Sequence, residues 1–159
     1  MMPIDLLSAV AWLVALSSGM MAGVYLAFSS FIMKAFAGLG TEAGMDAMNA
    51  INRDILRSLF MPLFFGSTLF SIVLMVLGFW QWQDDRSLAA VAAGVIYVLG
   101  MFGVTAAGNV PLNNRLAEVG AEGELAAQVW SMYLTRWTRW NSVRTVASIV
   151  CMILSIYVV

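Results

Sequence analysis

The stretch WSMYLTRWTRWNSVR, from Trp130 to Arg144, opens the last apolar segment of the chain with three tryptophans, one tyrosine and three arginines. At 100° per residue, six of its side chains lie within an arc of about 100° on one helix face. These are Trp130, Tyr133, Trp137, Trp140, Asn141 and Arg144. An aromatic belt at a membrane surface, with arginines reaching the headgroups, would account for Arg136 and Arg139. It does not explain why Asn141 and Arg144 share the aromatic face, so a pocket is the competing interpretation.

The composition is that of a membrane protein. Of 159 residues, 62% are hydrophobic and 11% charged, whereas soluble domains contain about 25% charged residues. So few charges could not cover the outside of a soluble bundle. The sequence therefore predicts a single all-α integral membrane domain over residues 1–159. Membrane lipids are its expected surroundings, and a homo-oligomer stays open. The net charge of −1 gives no electrostatic basis for binding nucleic acid.

Four apolar stretches are long enough to cross the bilayer as helices, which takes about 20 residues each. The predicted spans are residues 5–33, 58–80, 88–109 and 137–159. The residues before the second span are amphipathic as far as Arg57, and the aromatic stretch precedes the fourth. We therefore expect a four-helix bundle in which helices 2 and 4 extend beyond the membrane on the cytoplasmic side.

The basic residues predict the orientation of this bundle. Seven of the eight lie in the connections 34–57 and 115–144, and only Arg86 lies in the turn between the second and third spans. Lysine and arginine concentrate in cytoplasmic connections. Both termini are therefore expected outside, in what the pattern suggests is a bacterial inner (plasma) membrane.

The inner end of the third span contains the string NVPLN, residues 109–113. Pro111 has no amide hydrogen and disfavours helical geometry at the residue before it. The sequence thus predicts a kink or a helix end here. Backbone carbonyls would be left open beside Asn109 and Asn113, and inside a membrane such groups need a partner.

The predicted topology gathers polar side chains at the cytoplasmic ends of different helices. They are Asn49, Asn52, Asn109, Asn113, Asn141 and Arg144. A pocket built from them could stack a flat ring on Trp137 or Trp140, bind its oxygens through asparagine amides and stabilise an oxyanion with Arg144. Tyr133 lies on the same face but is a poor base, because its ordinary pKa is about 10.

Several other kinds of site are excluded by the residues that the chain lacks. It has no histidine, and apart from Asp5, the first residue of the first predicted span, no Asp or Glu lies inside the four predicted spans. Haem sites, metal sites and proton-coupled export through a membrane carboxylate are therefore not expected. No phosphate loop or dinucleotide fingerprint occurs. We expect neither a metal nor another cofactor.

Four strings together resemble the anthrone oxygenase-like family of small membrane proteins. They are GMMAG followed by Phe28-Ser29, AMNAIN at 47–52, Thr105 with NVPLN, and WTRWNSVRT at 137–145. The resemblance covers nearly the whole chain. The chain departs from the family pattern at Ser142, where members often have a histidine after the asparagine.

The resemblance implies oxidation of anthrones to anthraquinones without a metal or flavin. It implies that Arg144, Asn141 and Asn109 are catalytic and stabilise an enolate oxygen. Trp137, Trp140 and Tyr133 would then bind a flat phenolic or anthrone-like substrate together with Asn113, Asn52 and Asn49. The alternative is a non-catalytic membrane protein, in which the same side chains tie helix ends together.

Overall fold

The structure is a computed structural model that describes residues 5–82 and 84–159. The N-terminal tail, residues 1–4, and Gln83 in the predicted polar turn lie outside this part of the chain. Five helices are present in it: α1 Leu6–Gly38, α2 Thr41–Asp54, α3 Phe60–Trp80, α4 Asp85–Glu118 and α5 Gly123–Val158. All but α2 are long and apolar enough to cross a membrane, and no strand occurs among the described residues. The predicted all-α, four-helix integral membrane fold is confirmed.

The four long helices form a bundle with antiparallel neighbours. Helix α1 packs along α5 and α3, and α4 packs along α3 and α5. At one end, the Arg86 guanidinium donates to the backbone oxygen of Val158 (2.9 Å) and to Ser8 Oγ (3.0 Å), and it lies 3.7 Å from Asp5. The start of α1, the start of α4 and the end of α5 therefore meet at that end. The connections rich in arginine lie at the other end.

Small residues allow two helix pairs to approach closely. A Cβ on Gly94 of α4 would lie 2.5 Å from the Ser71 backbone oxygen of α3. In the GxxxG string of α1, a Cβ on Gly19 would lie 2.9 Å from Met152 of α5. A Cβ on Gly23 would have no atom of another helix within 4 Å. Only the first glycine of the string thus serves a helix contact within the described structure.

Helix α2 is separate from α3, which corrects the expectation that the second span is the membrane half of one long helix. After the 3₁₀ turn Ile55–Arg57, the backbone becomes extended at Ser58. The Ser58 hydroxyl donates to the Ile55 carbonyl (2.8 Å) and accepts from the Phe60 amide (3.1 Å). Such local bonding competes with a continuous helix. Pro62, in the first turn of α3, also cannot donate to the preceding turn.

Helix α4 continues through Pro111, so of the two predicted outcomes, a kink or a helix end, the helix end is wrong and the kink stays a prediction. Two π-helical turns, Val98–Gly103 and Thr105–Asn109, precede an α-helical segment that begins at Val110. Pro111 therefore lies in the first turn of that segment, where a proline is tolerated. Helix α1 contains a similar π turn at Phe28–Ile32. Single π turns inside α-helices often occur at functional sites, and both of these helices contribute to the cavity described below.

Candidate functional site

A cavity of about 310 Å³ lies at the arginine-rich end of the bundle. This volume is at the lower end of the range for small-molecule pockets. Most of its wall is aromatic or aliphatic. Six of the nine side chains predicted for the site line it: Asn52, Asn109, Asn113, Trp137, Asn141 and Arg144. The structure therefore brings together residues from α2, α4 and α5 that are far apart in the sequence.

Among the residues that the structure describes, Arg144 is the only charged one in the cavity wall, and it is only 5% exposed. Its guanidinium carbon lies 4.2 Å from the centroid of the Tyr25 ring and 5.4 Å from that of Trp137. One terminal nitrogen donates to Thr105 Oγ1 (3.2 Å) and the other to Asn141 Oδ1 (2.6 Å). Within the described residues Arg144 forms no ion pair and its Nε has no hydrogen-bond partner. Its charge is therefore held by neutral groups alone.

Asn141 connects Arg144 to α1. Its oxygen accepts from Arg144, and its amide nitrogen donates to the Tyr25 carbonyl (2.6 Å) and to Ser29 Oγ (2.7 Å). Ser29 belongs to the π turn of α1. The side chain is fully buried, and both its oxygen and its nitrogen form hydrogen bonds inside the protein. Asn141 therefore orients the guanidinium rather than presenting free hydrogen-bonding groups of its own.

The two asparagines of NVPLN have different environments. Asn109 donates to the Trp137 carbonyl (3.3 Å), and its own oxygen is buried without a partner in the described structure. Asn113 accepts from the Trp137 indole nitrogen and from the Tyr133 hydroxyl, both at 2.8 Å. Asn113 thus fixes the two aromatic rings, whereas Asn109 retains an unused acceptor at the cavity wall.

Three predicted binding residues do not line the cavity. Tyr133 is fully buried and stacks between Trp130 and Trp137, at centroid distances of 5.8 and 5.9 Å. Trp140 lies at the edge of the aromatic face, so its half-exposed ring packs against Gly108 outside the cavity. Asn49 is also absent from the wall. Of the predicted rings, only Trp137 is in position to stack on a ligand.

Sequence reasoning placed Asn141 beside the Arg144 guanidinium but did not identify its other two partners. Tyr25 covers one face of Arg144, and Thr105 accepts one of its N–H groups. The signal for Tyr25 was available, since it is the only tyrosine in the first span. Thr105 and Ser29 belong to strings quoted for the family resemblance, but neither residue was assigned a role there. Phe60, Phe64 and Phe102 complete the aromatic wall.

Ser142, the position at which the sequence analysis noted a departure from the family pattern, lies outside the cavity wall. Its hydroxyl donates to the Thr138 carbonyl (2.9 Å) and contacts Ser29 Oγ at 3.2 Å. Ser29 is the residue whose hydroxyl accepts from the Asn141 amide. A side chain at position 142 is therefore one layer behind the cavity, in contact with the Ser29 hydroxyl to which Asn141 donates.

Comparison with known proteins identifies the family of this chain. A family model described as Anthrone oxygenase matches residues 57–154, which include Thr105, Asn109, Asn113 and the whole stretch from Trp130 to Arg144. No curated protein and no solved structure matches the chain. Since the family match covers more than half of the sequence and includes the charged residue of the cavity, this chain belongs to the anthrone oxygenase family.

Proposed function

We propose that this protein binds a flat phenolic or anthrone-like molecule in the cavity and oxidises it with dioxygen, without a metal or flavin. In the balanced reaction, an anthrone and O₂ give an anthraquinone and water. The substrate CH₂ group loses two hydrogens. One oxygen atom becomes the new carbonyl, and the other leaves as water.

The observation that carries the proposal is the buried guanidinium of Arg144 in the wall of an aromatic cavity. A buried cation without a carboxylate partner favours an anionic ligand, because desolvation makes its unpaired charge costly. An enolate oxygen meets that requirement. The ring attached to it is large and apolar, which suits the phenylalanines and Trp137 of the wall.

In the proposed mechanism the protein stabilises the enolate of the bound anthrone. Arg144 faces the enolate oxygen, and the unused acceptor of Asn109 is available to a substrate hydroxyl. Stabilising the enolate lowers the pKa of the bound carbon acid, and the proton passes to water. The electron-rich carbon opposite the enolate oxygen then forms a C–O bond with O₂. Loss of water from the resulting hydroperoxide breaks the O–O bond and leaves the second carbonyl.

A second candidate function is structural, and the hydrogen bonds of the site favour it specifically. Asn141 links α5 to α1, and Asn113 links α4 to two rings of α5. Asparagine bonds between membrane helices contribute about 0.6–2 kcal/mol each. In this alternative, Arg144 closes a network between helix ends and the cavity has no substrate.

Incubation with an anthrone separates the two candidates. Purified protein in detergent micelles would be compared with protein-free micelles, which measure spontaneous oxidation, in air and under nitrogen. The enzyme hypothesis predicts one O₂ consumed for each anthraquinone formed and no product under nitrogen. Equal rates with and without protein, for anthrones with and without hydroxyl groups, would leave the structural role as the better account.

We also infer that the cavity faces the cytoplasmic side and that both termini are outside, in a bacterial inner membrane. Lys34, Arg53, Arg57, Arg115, Arg136 and Arg139 belong to the connections at the cavity end of the bundle, whereas Arg86 lies at the other end. This distribution supports the orientation through the preference of basic residues for the cytoplasm.

A further inference from the structure

We propose that the cavity opens sideways into the bilayer, through a portal formed by Leu56, Phe65, Ala106 and Val110. Its ligand would then be a neutral molecule dissolved in lipid, which becomes an anion only after it binds. This inference deepens the proposed function and rests on it for the identity of the ligand as an oxidisable substrate. The direction of entry depends only on the geometry of the wall.

The portal is defined by the cavity-lining side chains that also reach the outside. Leu56, Phe65 and Val110 are 63%, 56% and 42% exposed, and Ala106 is exposed as well. All four are apolar. The polar members of the wall are buried or only partly exposed. In a membrane protein, an apolar exposed rim faces hydrocarbon without cost, whereas polar groups must lie inside.

The helices that carry the portal separate at its level. Helix α3 packs closely along Asp85–Tyr97 of α4. The two helices are in less contact toward the π turn Thr105–Asn109. Nearer the middle of the bundle, Phe102 closes the gap between the helices through contacts with Phe64 and Phe65, at centroid distances of 5.6 and 6.5 Å. The opening therefore lies between the start of α3 and the inner half of α4.

The side of the cavity toward water is covered by α2. This helix turns Met48, Ile51 and Asn52 toward the cavity, and it carries exposed charges on its other face, including Asp46 and Arg53. It packs against α4 and α5 at their inner ends. A ligand from the cytoplasm would have to displace this helix, whereas a ligand in the bilayer meets the open rim.

The chemistry of the rim restricts the ligand. A charged molecule would have to lose its hydration before it reached Arg144, and burying an unpaired charge is costly. A neutral carbon acid crosses the apolar rim without that cost. Ionisation then follows beside the guanidinium. The substrates are therefore lipophilic ketones or phenols, and permanently charged analogues are excluded.

The test compares Ala106→Phe with Ala107→Phe. Both alanines are exposed neighbours on α4, but only Ala106 lines the cavity. Association of anthraquinone, supplied in phospholipid vesicles, would be followed by quenching of tryptophan fluorescence. Because the added ring narrows the portal, Ala106→Phe should slow association about tenfold or more, whereas Ala107→Phe should stay within about twofold of the unmodified protein. Equal rates for the two variants would overturn the proposal.

Cysteine labelling decides the matter even if a phenylalanine variant fails to fold. Ala106→Cys would be made with Cys151→Ser, which removes the buried native thiol. Because maleimides react with the thiolate, which an apolar surrounding disfavours, the expected result is no reaction with N-ethylmaleimide or with a sulfonated maleimide in the folded protein and reaction with both after unfolding. Reaction of the folded protein with the sulfonated reagent would mean that water reaches the portal and would contradict the proposal. If labelling behaves as expected but anthrone is not oxidised, the proposed activity fails and the portal stands.

Discussion

The guanidinium carbon of Arg144 on α5 lies 4.2 Å from the centroid of the Tyr25 ring on α1. The same arginine reaches Thr105 on α4, so one cation joins three helices at the cavity wall. A desolvated cation–π contact contributes about 2 kcal/mol. The ring covers the cation without neutralising it, because it supplies a quadrupole and no negative charge. Arg144 therefore keeps its capacity to bind an anion.

Replacing Arg144 by glutamine should abolish most of the proposed oxidation. Removing one charge-stabilising group from an active site lowers kcat by about 10²–10³-fold. The matched control is Arg139→Gln, since Arg139 is exposed and does not line the cavity. Anthraquinone formation per folded molecule would be measured for both. If Arg144→Gln only lowers the melting temperature and the activity per folded molecule is unchanged, the network is structural.

Tyr25 should act through its ring rather than its hydroxyl. The hydroxyl contacts Met101 Sδ at 3.3 Å, whereas the ring covers Arg144. Tyr25→Phe keeps the ring and should bind anthraquinone within about threefold of the unmodified protein, whereas Tyr25→Leu should weaken binding about tenfold or more, the equivalent of at least 1.4 kcal/mol. Equilibrium fluorescence titration measures both. A loss of binding in Tyr25→Phe equal to that in Tyr25→Leu would show that the hydroxyl matters.

Gly94→Ala should destabilise the bundle. Its Cβ would lie 2.5 Å from the Ser71 backbone oxygen and 2.5 Å from Met75 Cβ, so α3 and α4 must separate. Forcing atoms into a packed contact costs about 1–3 kcal/mol. Gly66→Ala is the control, because nothing lies within 4 Å of its added Cβ and helical alanine is favoured by up to about 1 kcal/mol. Thermal unfolding in detergent should shift in opposite directions for the two variants.

Both termini should lie outside the cytoplasm. The excess of basic residues at the opposite end of the bundle supplies the reason. A reporter that is active only in the cytoplasm should be silent when fused after Val159 and active when inserted at Gly120, between α4 and α5. The reverse pattern would invert the orientation and place the cavity on the outer side.

Acid should weaken the contact between Asp5 and its neighbours. Hydrogen bonds from Ser8, together with the nearby Arg86, lower the pKa of Asp5 below its ordinary value of 3.8. A lowered pKa in the folded state means that the stabilisation is present above pH 3.8 and is lost as the pH falls through the folded-state pKa. Asp5→Asn keeps a capping oxygen but has no charge to lose. Its melting temperature should therefore fall less than that of the unmodified protein between pH 5 and pH 3, roughly the range in which carboxylates titrate.

The α2–α3 boundary shows why sequence periodicity alone misplaced one helix. Amphipathic residues up to Arg57 followed by an apolar run predict one long helix. The break at Ser58 depends on a serine hydroxyl that bonds its own neighbours and on a proline four residues later. Both signals were present in the sequence, but each is a weak preference compared with the hydrophobic pattern. At Pro111 the error was the opposite one. A helix end was predicted there, but the π turn before it lets α4 continue.

What the sequence determined by itself is the membrane environment, the four long apolar helices and the shared face of Trp137, Asn141 and Arg144. These follow from transfer free energies and from helical periodicity, which depend only on the segment concerned. Tertiary structure decided that Tyr25 and Thr105 hold the guanidinium and that Trp140 lies outside the cavity. Such contacts join residues on different helices, so they depend on how the helices approach and rotate against one another. No local preference of the chain encodes that arrangement, because it minimises the energy of all the packed helices together.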